Sequence, residues 1–418
     1  MSSYWQALRA FSPSLRRFLI SFPINVIVPF GIIAVLMNLY LLRLGFDVRF
    51  IGLMVAVGQL VWAAAAIPAG MFSIRIGLRN GIMLGQALSA LGLALILLVE
   101  TQPEQLWQLW LIGGQAVFML GTAFITVNIP PYLMAVTGEQ ERRYAFALVQ
   151  SLIPATAFLG SLAAGLLPGP IAGWASLTLD DAGPYRIALW TGPLLLFLAM
   201  LPLLGADPAR APQSDQRAAA EPAPVGLLAI FGAIVFLQSI SEGAVRIFFN
   251  VYLDIGLDVP PAQIGTVMGV AQLLPIVAAL SSPIFIARWG AGHTQVAAGL
   301  GIGACLFPLA AVPQLGVAAL SVMGVMAMIA LLSTARDLFG QEIVAPSWRT
   351  AIQGTLLIGL ASGWGTAGIV GGYLIETLGF GALFAVGAIS AVLAAGLLAT
   401  FLHRRRVVPP PAPTSPIG

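Results

Sequence analysis

Twelve apolar runs succeed one another along this chain, at about residues 18–42, 50–72, 80–99, 107–129, 144–167, 186–204, 225–253, 262–287, 294–312, 315–335, 350–375 and 380–402. A bilayer hydrocarbon core is about 30 Å thick and takes about 20 residues of α-helix to cross. Each run is near that length. A soluble core cannot absorb them all: 59% of the 418 residues are hydrophobic and 8% are charged, against roughly 25% charged in ordinary soluble domains. Inside lipid every backbone N–H and C=O must be paired within the chain, which leaves helices as the economical solution for runs of this length. The expected fold is an all-α membrane protein of twelve transmembrane helices.

The first run is too long for the apolar segment of a signal peptide, and no small-residue cleavage site follows it. It reads as an uncleaved helix, bent by Pro23 and Pro29. Residues 206–224, ADPARAPQSDQRAAAEPAP, have no apolar periodicity and read as a flexible cytoplasmic linker. Six runs lie on either side of it. The expected organisation is an N-terminal six-helix bundle over 1–205, the linker, a C-terminal six-helix bundle over 225–402 and a disordered Pro-rich cytoplasmic tail over 403–418.

The basic residues are nineteen arginines and no lysine. With both termini placed in the cytoplasm, fifteen arginines fall in inside segments, Arg336 among them, and only Arg43, Arg49 and Arg186 fall outside. That is a strong positive-inside bias, expected of an inner membrane protein. It accounts for the net charge of +3 without invoking nucleic acid as a partner. Membrane lipid is the expected surroundings, and a monomer the expected state.

The two sets of six carry a repeat. NLYLLRLGFDV at 38–48 returns as NVYLDIGLDV at 250–259, and FIGLMVAVGQL at 50–60 returns as QIGTVMGVAQL at 263–273. Apolar bias alone does not reproduce paired Asn, Tyr, Gly, Asp and Gln at one offset. Both copies have the same membrane orientation, so the halves are parallel repeats about an axis along the membrane normal. The loop between the second and third runs reads GMFSIRIGLR, with Gly70, Arg75, Gly77 and Arg79, and its second-half counterpart PIFIARWGAG keeps Arg288 and Gly290.

Two six-helix halves, a central linker and that loop resemble the major facilitator superfamily over nearly all of Phe18 to Leu402. The superfamily's loop signature is Gly-x-x-x-Asp-Arg-x-Gly-Arg-Arg/Lys; here Ile74 stands for the Asp and Leu78 for an Arg. The resemblance implies a gating role for this loop, less its acidic partner. It also implies a secondary transporter working by alternating access, and an Arg in the fourth helix would mark the proton-coupled drug antiporters. The fourth run has none, offering Gln115 and Asn128.

Within the spans the charges stand out. Glu242 and Arg246 lie in the seventh run, four residues apart, close enough on one helix face to pair. Charged groups at mid-membrane are costly and face a cavity or another helix. Phe30 and Ala34 occupy the matching first-half positions, so the charges break the repeat's symmetry, as one substrate or coupling site would. Asn25, Asn38, Gln115, Gln238 and Asn250 are further candidates for substrate contact, Asn25 and Gln238 the best suited of them, while the recurrence of Asn38 as Asn250 in both halves favours a scaffold or gate role. For any single one, interhelical hydrogen bonding is the preferred reading. Three functions remain open: proton-coupled transport of a small polar or anionic solute, efflux of amphipathic compounds, or a non-transporting membrane scaffold. Neither His293 nor His403 has metal-ligand spacing, and no phosphate loop or nucleophile motif occurs. No enzyme activity, metal or cofactor is expected.

Overall fold

The computed structural model describes residues 11–209, 224–345 and 348–407. Its regular elements there are all helical. Among the described residues eleven helices are long and apolar enough to cross a membrane: α1 (Pro13–Arg43), α2 (Val48–Ile76), α3 (Leu78–Leu97), α4 (Glu104–Val136), α5 (Leu148–Ala175), α6 (Ala182–Leu204), α7 (Val225–Gly256), α8 (Pro261–Ala311), α9 (Leu315–Glu342), α10 (Ala351–Leu378) and α11 (Phe380–Arg404). Leu109, Ile67, Leu280 and Leu320 are each more than 70% exposed. Side chains like these would make an aggregating surface in water and suit contact with lipid tails.

Two local signals shape these helices. In α1 the α-helical pattern holds through Ile27, slackens to a π-turn over Val28–Ile33, and resumes at Ala34. Pro29 has no N–H to give to the preceding turn, so the wider spacing falls where that bond is lost. Pro23 leaves the helix unbroken. The second signal is glycine at the corners. Gly77 (φ 93, ψ 144) ends α2 and leads into α3, and Gly290 (φ 78, ψ 159) interrupts the 51-residue α8. Both occupy the left-handed φ range that side chains with a Cβ avoid. They stand at corresponding positions of the repeat, so both loops turn by the same backbone device.

Packing between helices depends on missing side chains. A Cβ on Gly92 in α3 would lie 2.2 Å from the Phe118 amide nitrogen of α4, and one on Gly121 only 2.4 Å from the Ser89 nitrogen. Small residues at such crossings bring backbones together where lipid offers no hydrophobic drive. The same device joins the first half of the chain to the second. A Cβ on Gly52 of α2 would lie 2.1 Å from the Gly368 carbonyl oxygen of α10, and one on Gly165 of α5 would lie 2.7 Å from the Gly265 Cα of α8. Gly52 and Gly265 are partners in the repeat.

These crossings lie at the distal end of the bundle, opposite the end where α1 starts and α6 finishes. At that terminal end the first linker residues are bonded to the helices. Ser14 donates to Asp207 at 2.7 Å, Arg79 donates to the Ala206 carbonyl at 2.5 Å, and the Leu78 amide donates to the Ala209 carbonyl at 3.1 Å. The expected flexible linker therefore starts as a docked strap. The last helix also runs on to Val407, past the expected start of the tail. Linker residues 210–223 and tail residues 408–418 lie outside the described residues.

Gly92→Val should lower the apparent unfolding midpoint in detergent, with overpacking of such a seam costing about 1–3 kcal/mol. Gly396→Ala, whose new Cβ would meet open space, should leave the midpoint unchanged or slightly higher.

Candidate functional site

Beneath the distal closure, α1, α2, α3, α4, α7 and α10 surround a cavity of about 350 Å³. Its wall is largely apolar and aromatic, with Phe30, Met37, Met54, Trp62, Phe118 and Trp364 contributing. The polar lining is Asn38, Gln59, Gln115, Thr122 and Thr126, and Arg246 carries its one charge among the described residues. The Arg246 guanidinium lies over the Trp364 ring at 5.8 Å, within reach of the ring's attractive face. Its Nε is buried without a hydrogen-bond partner. No ion pair reaches it among the described residues.

The expected pairing of Glu242 with Arg246 is corrected by the structure. Glu242 Oε1 accepts from Arg336 Nη1 at 3.1 Å, both side chains almost fully buried. Four residues advance a helix by about 400°, so i and i+4 are offset by about 40°. That offset turns Glu242 toward α9 and leaves Arg246 to the cavity. Arg336, expected in a cytoplasmic segment, is instead 4% exposed inside α9.

Above the cavity the two halves of the chain are bonded directly. Asn38 Nδ2 donates to the Ile247 carbonyl at 2.7 Å and to Asn250 Oδ1 at 3.0 Å. Asn250 Nδ2 donates to the carbonyls of Ala34 at 3.1 Å and Val35 at 3.2 Å. Arg43 grips Asp254 with two parallel bonds of 2.7 and 2.8 Å, and Arg49 is paired with Glu376. Among the described residues, all side-chain hydrogen bonds and ion pairs between the halves lie in this layer.

The other sequence candidates separate clearly. Gln115 and Asn38 line the cavity, as does Gln59. Asn250 belongs to the closure. Asn25 donates back to Ser21 of its own helix, and Gln238 accepts from Gln295 at 3.3 Å; neither lines the cavity. In the loop, Gly70 is partly exposed, while Arg75 and Arg288 are exposed. Arg79 bonds Asn80 and the linker strap, and this loop makes no side-chain hydrogen bond to the second half among the described residues. Sequence reasoning missed Arg336, Glu376 and the tryptophans; Trp62 and Trp364 carried no signal distinguishing them from lipid-facing aromatics.

A family model for the Major Facilitator Superfamily matches residues 24–345. The chain belongs to that superfamily. Among solved structures it resembles a variant of the nucleoside transporter NupG, with a TM-score of 0.72 at 16% identity, covering 94% of this chain and 99% of that one. It also resembles a D-xylose-proton symporter (TM-score 0.72, 16% identity, 93% of this chain and 96% of that one). A third is a bacterial homologue of the iron transporter ferroportin in an inward-facing state (TM-score 0.72, 12% identity, 93% and 98%). At these identities the likeness is one of fold. No curated protein matches the chain in sequence.

Breaking a buried ion pair costs about 3–5 kcal/mol, whereas replacing both partners by apolar residues is often neutral. E242Q and R336Q should each lower the apparent unfolding midpoint, E242L/R336M should recover most of the loss, and R246Q should cost little. If R246Q proved as damaging as R336Q, the assignment of Glu242 to Arg336 would fail.

Proposed function

We propose that this chain is a secondary transporter that moves a small organic solute by alternating access, with the Arg246 cavity as its substrate site. The observation that carries the reading is the position of that cavity, in the seam between the halves and directly below a closure made of reversible polar bonds. The distal end is then external, both termini are cytoplasmic, and the cavity communicates with the cytoplasmic side of the inner membrane. The chain crosses the membrane twelve times as two six-helix bundles. At about 1.5 Å per residue, a straight α8 would be far longer than a bilayer is thick. It therefore counts as two crossings that turn at Gly290.

Transport requires that the distal layer open when the opposite end closes. Arg43–Asp254, Arg49–Glu376 and the asparagine pair are the bonds to be exchanged for water. Glu242, one turn of α7 from Arg246 and held by Arg336, is the candidate proton acceptor. Protonating it would free Arg336 and change the field at the cavity. The loop around Gly77 and Gly290 would govern the opposite face, with Arg79 acting through the linker strap. A drug-efflux direction is the second reading, favoured by the aromatic and methionine wall.

The test uses full-length protein in liposomes, with Cys305 replaced by serine and a panel of labelled solutes. R43C/D254C should show flux only when reduced, with cross-linking cutting it at least about tenfold. In the same liposomes E242Q should lose the response to a pH gradient. Undiminished flux through the cross-linked protein would exclude alternating access, and the absence of flux for every solute in the reduced protein would favour a scaffold.

A further inference from the structure

We infer that the cavity takes an amphipathic organic anion with a single negative charge, its carboxylate or sulfonate on Arg246 and its flat apolar body between the aromatic walls. The inference rests on the cavity being the substrate site.

Charge in the membrane interior comes first. Glu242 is paired with Arg336 at 3.1 Å, and Asp337 lies beside Arg336 on the same helix and acts on that pair. Among the described residues no carboxylate lies within ion-pair distance of Arg246, although the charge of Glu242 one turn away still reaches it. Asp254 and Glu376, the acids of the distal layer, are held by Arg43 and Arg49. No carboxylate lines the cavity among the described residues. A guanidinium in a low-dielectric site is stabilised strongly by an anion, and its planar fork matches carboxylate geometry with two bonds. One cation facing the cavity, its Nε without a hydrogen-bond partner, calls for one negative charge there. A dianion would leave its second charge against apolar walls, and an ammonium group would be repelled.

The remaining polar groups support the same placement. Thr122 and Thr126 donate to the backbone of their own helix, and Asn38 is committed to the distal layer. Gln59 and Gln115 line the cavity, and their side-chain amides make no hydrogen bond among the described residues. They are free to hold the second oxygen of an acid or a polar substituent beside it. Elsewhere the wall offers ring faces and thioethers. Rings suit a flat body, and methionines adapt to its outline. A volume of about 350 Å³ lies toward the small end of ordinary ligand pockets, about 300–1,000 Å³. That suits a compact organic acid better than a two-chain lipid. An anionic phospholipid headgroup shares the chemistry that Arg246 offers, and the experiment separates the two sources.

The purified full-length chain in detergent is titrated with naphthoate, naphthamide, naphthylmethylamine and naphthalenedicarboxylate. Thermal stabilisation and tryptophan fluorescence are followed. Naphthoate should bind, with the amide, the amine and the dianion each at least about tenfold weaker, the range expected for losing a charged hydrogen bond. R246Q should abolish the preference for the acid over the amide, and R246K should keep part of it. Equal binding of acid and amide, tighter binding of the amine or dianion, or no binding of naphthoate at millimolar concentration would each overturn the inference. So would stabilisation by phosphatidylglycerol that depends on Arg246 while naphthoate has no effect. The ligand series on the unsubstituted protein stands even if R246Q does not fold. Acid-selective binding without flux in liposomes would support this inference while removing the transporter reading, so the two can fail separately.

Discussion

Two asparagines hold the distal end of this protein shut, and they do so reciprocally. Asn38 of α1 donates to the backbone carbonyl of Ile247 in α7, and Asn250 of α7 donates to that of Val35 in α1. In the internal repeat Asn38 corresponds to Asn250 and Val35 to Ile247, so the bonds are related by the pseudo-two-fold axis of the duplication. A hydrogen bond joins the two side chains at 3.0 Å. Amide groups withdrawn from water need partners, and the side-chain N–H groups of both asparagines find theirs across the seam. Asn250 Oδ1 also accepts from the Val251 amide of its own helix at 2.9 Å. The same polarity that closes the seam allows it to open, because water can replace each of these hydrogen bonds.

Around this pair the structure arranges what closure requires. Glycines 52 and 265 let backbones touch on either side of it. All three arginines of the distal loops and helix ends have acidic partners there: Arg43 with Asp254, Arg49 with Glu376 and Arg186 with Glu100. Two of these pairs cross between the halves, and the third braces the first half internally. Below the layer the symmetry is broken. Where α1 presents Phe30 and Ala34 to the cavity, α7 presents Arg246, and Glu242 turns away into a closed pair with Arg336. The asymmetry gives the cavity its one charge among the described lining residues.

Much of the fold was legible because lipid leaves a chain few options. The apolar runs marked the helices, and the arginine distribution and the 38–48/250–259 repeat indicated paired halves. The repeat also pointed at Asn38 and Asn250, though hydropathy could not say that they touch. The site was legible in part. Arg246 and Gln115 were found because polarity at membrane depth is conspicuous. Glu242 was found too, but was given the wrong partner, since local spacing carries no information about a helix 94 residues further on. Arg336 sits near a helix end, where a basic residue is ordinarily a loop residue, and only tertiary packing reveals its burial. Asn25 and Gln238 were polar at the right depth but turned onto their own neighbours, a rotation of the helix that composition does not encode.

The central claim is that the Asn38–Asn250 layer is a releasable closure between two moving halves. Spin labels at the exposed distal positions Glu104 and Gln314, in a chain with Cys305 replaced by serine, report on it by pulsed electron paramagnetic resonance. The account predicts two separations between these labels, with the longer one gaining population when Asn38 and Asn250 are both replaced by leucine. A single separation, unchanged by that double replacement, would contradict it.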